Sequence, residues 1–492
     1  MEQMSATRTS PGVPSPSADK TFFGQPKMLL NLFSVELWER FSFYGMQGIL
    51  AYYMYYTATQ GGLGIDETVA VGLVGAYGGG VYLSTILGAW LADRLLGPER
   101  VLFYSAIVIM AGHISLALLP GAGGLTAGLI MVAIGSGGLK ANATSLVGSL
   151  YGEKDDRRDA GFSIFYMGIN IGGLIGPLLT GLLQTTLGFH YGFGAAAVGM
   201  AIGLTQYGLT RRNLPKEAHL VANPVPRSRY RLMIGVGAAA AVVVILAVLT
   251  GLVTAENLKW VVVGIVVVAT IAYFVVILSS RKVDAQERSR VYSFIPLFIA
   301  SAAFWSLFQQ QFTVVALYAD KRLDRNLLGW EMPASWASSI NPVFIIVFAG
   351  IFAALWTKLG SRQWTTPVKF AAALVVMGLA YLSFIPVAGV ASVPLLALVW
   401  ILLLFTIAEL LLSPVGLSLA TKLAPTAFHT QMVALFFLSV ALGTALSGVF
   451  AGYYHEDNET PYFAVIGLTA IVLGIVLALA AKPIRKLMAG VH

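Results

Sequence analysis

The chain has 492 residues, of which 57% are hydrophobic and only 11% are charged. Soluble domains carry about 25% charged residues, so this composition excludes an ordinary soluble protein and indicates one that crosses a membrane many times. The absence of cysteine excludes disulfides, thiolate metal sites and a cysteine nucleophile. The net charge of +8 would suit a nucleic-acid-binding protein, but the positions of the basic residues argue against that class.

Apolar segments long enough to cross a bilayer as helices recur along the whole chain. They cover residues 28–56, 68–92, 99–119, 124–149, 160–187, 190–210, 232–253, 258–279, 291–318, 335–358, 367–388, 393–420, 428–452 and 461–481. The sequence therefore predicts an all-α polytopic membrane protein with fourteen transmembrane helices.

The longest polar interruption among these segments follows the sixth of them and contains three prolines and six Lys or Arg residues. It divides the chain into two groups of six helices with an extra helix pair between them. The predicted units are a disordered cytoplasmic tail (1–26), an N-terminal six-helix bundle (27–210), a cytoplasmic linker (211–231), the extra helix pair (232–280), a C-terminal six-helix bundle (281–482) and a cytoplasmic tail (483–492).

The basic residues predict the orientation of the chain in the membrane, because they concentrate in cytoplasmic loops. If both termini are cytoplasmic, the inside segments contain 25 Lys and Arg residues and the outside segments contain four. This bias predicts cytoplasmic termini. It also explains the positive net charge by membrane topology, so no nucleic-acid partner is expected.

Three charged residues lie well inside the first apolar segment. Glu36, Glu39 and Arg40 are spaced so that they share one face of a helix, and Tyr44 lies one turn further along. A charge at the bilayer centre costs roughly 3 kcal/mol or more, so such residues usually face a water-filled cavity and pair with one another. The alternative, a cluster that extends to the membrane interface, suits Arg and Lys better than Glu. We therefore interpret this cluster as functional.

Two further ionisable residues lie deep in apolar segments. Lys140 is followed by several apolar or small residues, which favours a cavity site over a lysine that extends toward Glu153 at the cytoplasmic end. Glu409 has no basic residue near it in the sequence, so its partner must come from another helix. It is either a protonated carboxyl bonded to a neighbouring helix or a carboxyl that exchanges protons in a cavity.

Other polar and aromatic residues give weaker signals. The amides Asn170, Gln309, Gln310, Gln311 and Asn341 could simply bond across helices, and Tyr44, Tyr82 and Trp305 could line a pocket or pack in the core. Asp93 and Arg94 mark a cytoplasmic helix end, where an ion pair could hold two helices together.

No enzyme motif accompanies these residues. The sequence lacks a Walker loop, an H-E-x-x-H motif and a G-x-S-x-G motif. It also lacks a cytoplasmic domain large enough for an ATPase. An enzyme is therefore not indicated, no cofactor is expected, and the energy for transport would come from an ion gradient.

Several segments together resemble the signatures of the proton-dependent oligopeptide transporter (POT) family of the major facilitator superfamily. They are Glu36 to Gly45, Gly88 to Arg100, Gly135 to Asn142, Phe162 to Gly172, Phe304-Trp305, Ser339 to Pro342 and Glu409 to Gly416. The extra helix pair is similar to that of bacterial members. The resemblance implies a proton-coupled importer of di- and tripeptides in the bacterial inner membrane, built from two six-helix bundles that alternate the access to a central site.

The resemblance also implies roles for individual residues. Arg40 and Lys140 would bind the peptide carboxylate, while Glu36 and Glu39 would tune Arg40 and take part in proton coupling. Glu409 would bind the peptide amino terminus and would pair with Lys140 when the site is empty. Asn170 and Asn341 would bond the peptide backbone, the pocket would be lined by Tyr44, Tyr82, Trp305, Gln310 and Ser413, and the cytoplasmic gate would use Asp93 and Arg94.

The sequence departs from the family pattern at two positions. Many bacterial members have Arg where this chain has Gln47 and an acidic residue where it has Gln309, and those two are thought to pair across the bundles on the extracellular side. Loss of one partner would leave an uncompensated buried charge, which costs roughly 3–5 kcal/mol, whereas loss of both is tolerable. We expect a hydrogen bond, or no bond at all, between Gln47 and Gln309.

Two alternatives to peptide import remain open. A relative could move another small zwitterion or anion, such as an amino acid or nitrate, although nitrate offers no cationic group for Glu409. A peptide sensor without a transport cycle would need a sizeable output domain, which no loop is long enough to form. The other expected partners are protons and the lipid bilayer, and a monomer is the default for this superfamily.

Overall fold

Long apolar helices account for most of the computed structural model, which describes residues 22–151, 155 and 157–491. The helices are α1 (Lys27–Tyr55), α2 (Glu67–Leu91), α3 (Pro98–Leu118), α4 (Gly121–Ser149), α5 (Arg158–Thr186), α6 (Phe189–Thr210), α7 (Tyr230–Leu249), α8 (Leu258–Ser279), α9 (Ala285–Phe308), α10 (Val314–Lys321), α11 (Ile340–Leu359), α12 (Thr366–Leu382), α13 (Leu395–Leu423), α14 (His429–Ala451) and α15 (Glu459–Leu487). A short antiparallel hairpin of β1 (Asn326–Leu327) and β2 (Trp330–Glu331) lies between α10 and α11.

The number of membrane helices agrees with the sequence. Twelve helical segments of the described chain are long and apolar enough to cross a membrane, with α9 and α10 counted as one segment. The long helices α1 and α6 bring the number to fourteen. The prediction of an all-α polytopic protein is therefore confirmed.

One predicted segment, 291–318, is not a continuous helix. Helix α9 ends at Phe308, a 3₁₀ turn covers Gln309–Phe312, and α10 starts again at Val314. The backbone leaves the helical region at Thr313, where φ is −124° and ψ is −90°. Neither Gly nor Pro lies at this break, so the usual sequence signals for the end of a helix were missing.

The structure corrects both predicted tails. Residues 22–26 of the predicted disordered tail are ordered, because the buried Gln25 accepts a hydrogen bond of 3.0 Å from the Tyr151 hydroxyl; residues 1–21 lie outside the described chain. The last helix continues through Pro483 to Leu487, beyond the predicted boundary at 482.

The helices before and after the extra pair have largely separate cores. The later core contains closely packed aromatic rings, among them Tyr381, Phe384 and Phe463. Two smaller cores lie mainly within α1–α6, one around Leu102 and one around Ile49, which also includes Phe312 and Ala334. In the extra pair, α8 packs against α2 and α14, whereas α7 buries none of its residues. The extra pair is therefore peripheral.

The two ends of the molecule differ in how closely the bundles approach. We call the end that carries Tyr55 and the β1–β2 hairpin the hairpin face, and the opposite end, which carries the 211–229 linker, the linker face. Near the hairpin face, α2 packs against α14 and α5 packs against α11. At the linker face, a cavity of about 890 Å³ is lined by the end of α2 and the residues that follow it, by Ala269 and Tyr273 of α8 and by the start of α14. The structure is closed at the hairpin face and open at the linker face.

Glycine makes the closed contact between the bundles tight enough to test by substitution. A Cβ atom added at Gly75 of α2 would lie 2.4 Å from the Cα of Gly448 on α14. Such overlap costs about 1–3 kcal/mol, so Gly75→Ala is expected to lower the thermal unfolding midpoint of the purified protein. Gly80→Ala on the same helix is the matched control, since no atom lies within 4 Å of its added Cβ. Equal midpoints for the two variants would contradict this prediction.

Candidate functional site

A cavity of about 310 Å³ lies between the two bundles and collects most of the residues predicted from the sequence. The predicted residues that line it are Glu36, Arg40, Tyr44, Tyr82, Lys140, Asn170, Trp305, Gln309, Asn341, Glu409 and Ser413. They come from α1, α2, α4, α5, α9, the turn after α9, α11 and α13, so both bundles contribute. The polar residues that interrupt the apolar segments thus converge on one place.

Arg40 is held by two carboxylates of its own helix. Its Nε lies 2.8 Å from Oε1 of Glu36 and 2.9 Å from Oε2 of Glu39. The spacing of the three residues along α1 makes this arrangement possible, as predicted. Glu39 is fully buried and also accepts a hydrogen bond of 2.9 Å from the Ser136 hydroxyl of α4. Glu39 therefore lies behind Arg40 and supports it, while Glu36 and Arg40 reach the cavity.

Lys140 has aromatic rather than acidic neighbours. Its Nζ lies 4.3 Å from the ring centroid of Phe43 and 4.7 Å from that of Tyr82, which are cation–π distances. Within the described residues it forms no ion pair. An ammonium group that lacks a carboxylate partner in a half-buried cavity is available to bind an anionic group.

Glu409 faces the same cavity from the other bundle. Its Oε2 accepts a long hydrogen bond of 3.4 Å from the Asn341 amide, which also donates to the Thr406 hydroxyl at 3.0 Å. The expected pair between Lys140 and Glu409 is not formed in the described structure. The reason is that the two side chains belong to different bundles and each is held by neighbours in its own bundle.

Gln310 is the one predicted pocket residue that the structure places elsewhere. It is fully buried, donates to the carbonyl of Ser306 and accepts a hydrogen bond of 2.8 Å from the Tyr462 hydroxyl of α15. The prediction that Gln310 lines the pocket is therefore wrong. The 3₁₀ turn directs its neighbours Gln309 and Gln311 into the cavity instead.

The predicted gating residues lie at two levels. Asp93 and Arg94 line the cavity at the linker face, where their backbone carbonyls accept hydrogen bonds from Asn223 (2.9 Å) and Val225 (3.1 Å) of the linker. In the part of the chain that the structure describes, no ion pair involves the side chains of Asp93 and Arg94, and no hydrogen bond joins Gln47 to Gln309. The absence of a bond between the two amides is one of the two expected arrangements.

Several lining residues were not predicted from the sequence. They include Thr144, Tyr166, Ile169, Phe308, Gln311, Phe312, Ser338, Phe436 and Phe437. Most are apolar or aromatic residues within apolar helices, where periodicity cannot separate a pocket wall from a core contact. The sequence could have indicated Gln311 as a cavity residue, since it is one of three consecutive amides in an apolar segment.

A second polar cluster, also not predicted, joins the bundles at the hairpin face. The hydroxyls of Tyr55 and Tyr56 donate to the two carboxylate oxygens of Asp320 on α10, at 2.5 and 2.7 Å. Beside them, Nζ of Lys321 lies 2.5 Å from Glu67 on α2 and 3.2 Å from Glu456. The bonds to Asp320 and Glu67 link α1 and α2 to the C-terminal bundle, whereas the pair of Lys321 with Glu456 lies within that bundle.

Comparisons with known proteins agree with this architecture. The family model PTR2, described as the POT family, matches residues 99–469. The chain is 44% identical to an uncharacterized transporter of Bacillus subtilis, YclF, over 96% of this chain and 97% of that one. It is 39% identical to the di-/tripeptide transporter of Lactococcus lactis subsp. cremoris, over 96% of this chain and 99% of that one.

A solved structure has nearly the same fold. It is the crystal structure of a mutant of peptide transporter POT in complex with alafosfalin, with 46% sequence identity and a TM-score of 0.91 over 96% of this chain and 97% of that one. The fold is therefore the major facilitator fold of these transporters, and the expectation that the protein is not an enzyme is confirmed. The chain belongs to the POT family of membrane transporters, whose relatives include di- and tripeptide transporters.

Proposed function

We propose that this protein is a symporter that imports di- and tripeptides together with protons. The observation that carries the proposal is the separation of charge across the central cavity. Arg40 and Lys140 lie on the N-terminal bundle and Glu409 lies on the C-terminal bundle, with no ion pair between Lys140 and Glu409 in the described chain. A zwitterionic peptide carries opposite charges at its two ends, so it would bridge the bundles in one orientation.

The peptide would be bound mainly through groups that all peptides share. Its carboxylate would contact Lys140 and Arg40, and its amino terminus would contact Glu409. Asn170 and Asn341 would bond the backbone. Tyr44, Tyr82, Trp305 and Ser413 would form walls that accept varied side chains. Because the termini and backbone supply the affinity, the site would be promiscuous toward side chains.

The charge balance of the cavity supports proton coupling. Fully ionised, Glu36, Glu39 and Glu409 outnumber Arg40 and Lys140 by one negative charge. A peptide zwitterion adds no net charge, and an uncompensated charge is costly in a buried site. One bound proton would neutralise the loaded cavity. The proton would therefore enter with the peptide, and no cofactor would be needed.

Alternating access would expose the cavity at each face in turn. The excess of Lys and Arg supports an orientation in which the linker face, both termini and the Asp93–Arg94 gate would be cytoplasmic, and the structure would then correspond to an inward-open state. Gln47 and Gln309 lie toward the other face, where they would part without breaking an ion pair. We infer that the protein acts as a monomer in the inner membrane of a bacterium.

Uptake of labelled dialanine into proteoliposomes tests this function. We expect accumulation in the wild type only when an inward proton gradient is imposed, and its loss in Glu409→Gln. Glu256→Gln, which removes a carboxylate from the exposed loop between α7 and α8, is the matched control and should transport like the wild type. Failure of dialanine to accumulate or exchange at any gradient would contradict peptide transport. Accumulation that ignores the gradient would contradict proton coupling.

A further inference from the structure

A second polar cavity lies at the linker face of the C-terminal bundle, away from the central site. It has a volume of about 560 Å³ and lies among the end of α11, the start of α12 and the ends of α13 and α15. Its lining includes three basic residues, Lys369, Lys422 and Arg485, and two hydroxyl residues, Thr365 and Thr366. Among the described residues, no Asp or Glu side chain lines it.

The innermost of these basic residues is Lys369. Only 7% of this residue is exposed. Its Nζ donates to Oε1 of Gln363 at 2.9 Å and lies 4.0 Å from the ring centroid of Trp356. Both partners are neutral, so a buried ammonium group at the back of the cavity has no carboxylate to balance it in the part of the chain described. A positive charge that is buried in this way normally has an anionic partner.

The other two basic residues lie at the mouth of the cavity. Lys422 is on the last turn of α13, Arg485 is on the last turn of α15, and both are exposed. The cavity also lies at the N-terminus of α12, and this end of a helix carries a partial positive charge. Positive charge therefore runs from the buried end of the cavity to its opening.

The surroundings of the mouth indicate a membrane interface rather than bulk solvent. Trp364 lines the cavity and is 52% exposed, and Leu487 at the end of α15 is 40% exposed. Tryptophan at the end of a transmembrane helix is typical of the headgroup level. Basic pockets between helices at this level bind the headgroups of anionic lipids.

We propose that this cavity binds the phosphate of an anionic phospholipid headgroup. Arg485 and Lys422 would contact the phosphate from two helices, and Lys369 would stabilise it from within. The acyl chains would leave past Trp364 along the outside of the bundle. Such a lipid would tie the ends of α12, α13 and α15 together at the face that opens.

Native mass spectrometry of the purified full-length protein tests this proposal. The probes are dioleoylphosphatidylglycerol, whose headgroup has a net negative charge, and, as the comparison without net charge, the zwitterionic dioleoylphosphatidylcholine. Each basic residue near a headgroup contributes about 1 kcal/mol, so Arg485→Gln is expected to retain phosphatidylglycerol about five-fold less than the wild type. Lys486→Gln is the matched control, because it removes the same charge from the adjacent exposed residue, which does not line the cavity.

The proposal is overturned if Arg485→Gln retains phosphatidylglycerol as well as Lys486→Gln does, or if the wild type retains both lipids equally. Displacement of the bound lipid by millimolar inorganic phosphate would assign the site to a soluble anion instead, and would also overturn it. Lys422→Gln repeats the test at a second exposed position, so the test does not require replacement of the buried Lys369.

Discussion

Replacing Arg40 by Gln should destabilise the protein by about 3–5 kcal/mol, because removing one member of a buried ion-pair group leaves its partners uncompensated. Glu36 and Glu39 are 3% and 0% exposed, and Arg40 is the only basic residue that forms an ion pair with either of them in the described chain. The expected result is a large fall in the thermal unfolding midpoint of the purified variant, together with complete loss of peptide uptake.

A double variant separates the structural effect from the functional one. Arg40→Gln with Glu39→Gln removes one positive and one negative charge together, and the new amide can still accept the hydrogen bond from Ser136. Much of the lost stability should return, whereas peptide uptake should not. Arg157→Gln is the matched control: it breaks an exposed ion pair with Asp155, and such pairs contribute about 1 kcal/mol or less. An unfolding midpoint for Arg40→Gln equal to that of the wild type would contradict the prediction.

The sequence was most informative where a residue conflicts with its surroundings. Glu36, Arg40, Lys140 and Glu409 stand out because charge is costly in an apolar segment, and the structure brings all four to one cavity. The number of helices was equally accessible, since the apolar segments have the length of a membrane span.

The sequence was less informative where one side chain fits several environments. Phe437 lines the cavity while the fully buried Phe304 packs in a core, and no local pattern distinguishes the two phenylalanines. The misplacement of Gln310 has a related cause. The direction of the Gln310 side chain depends on a helix break of a few residues. The sequence around the three consecutive glutamines contains no Gly or Pro that would indicate this break.

The cluster at the hairpin face also could not be predicted, because it depends on how the two bundles dock. Tyr55 and Tyr56 are more than 260 positions from Asp320 in the chain. Tyrosine near a membrane interface is common, so these residues carried no specific signal. Their role follows only from the contact between α1 and α10.

Removal of the Asp320 carboxylate should favour opening at the hairpin face. Asp320 accepts hydrogen bonds from Tyr55 and Tyr56 across the two bundles, and a hydrogen bond to a charged group contributes about 1.5–3 kcal/mol. Asp320→Asn is therefore expected to raise the ratio of open to closed molecules at this face by roughly ten-fold or more.

Distances between spin labels can measure this shift directly. The chain contains no cysteine, so Thr59→Cys and Leu328→Cys would introduce the only two thiols, one on each side of the hairpin face. Asp324→Asn is the matched control, because among the described residues the Asp324 carboxylate accepts a hydrogen bond only from the nearby backbone of Asn326. Unchanged distances in Asp320→Asn, or an equal change in Asp324→Asn, would contradict the prediction.

The bonds of Asp320 and Lys321 at the hairpin face explain how the closed state can form in this protein. Many bacterial members have an ion pair at the positions where this chain has Gln47 and Gln309. A buried pair is hardly screened by salt, but the ion pairs of Lys321 with Glu67 and Glu456 lie at a partly exposed rim. Rim pairs weaken as the Debye length falls from about 10 Å at 0.1 M salt to about 3 Å at 1 M. The same spin-label pair should therefore report more open molecules at high salt, and Lys321→Gln should remove much of that dependence. A salt response unchanged in Lys321→Gln would show that other contacts hold the hairpin face closed.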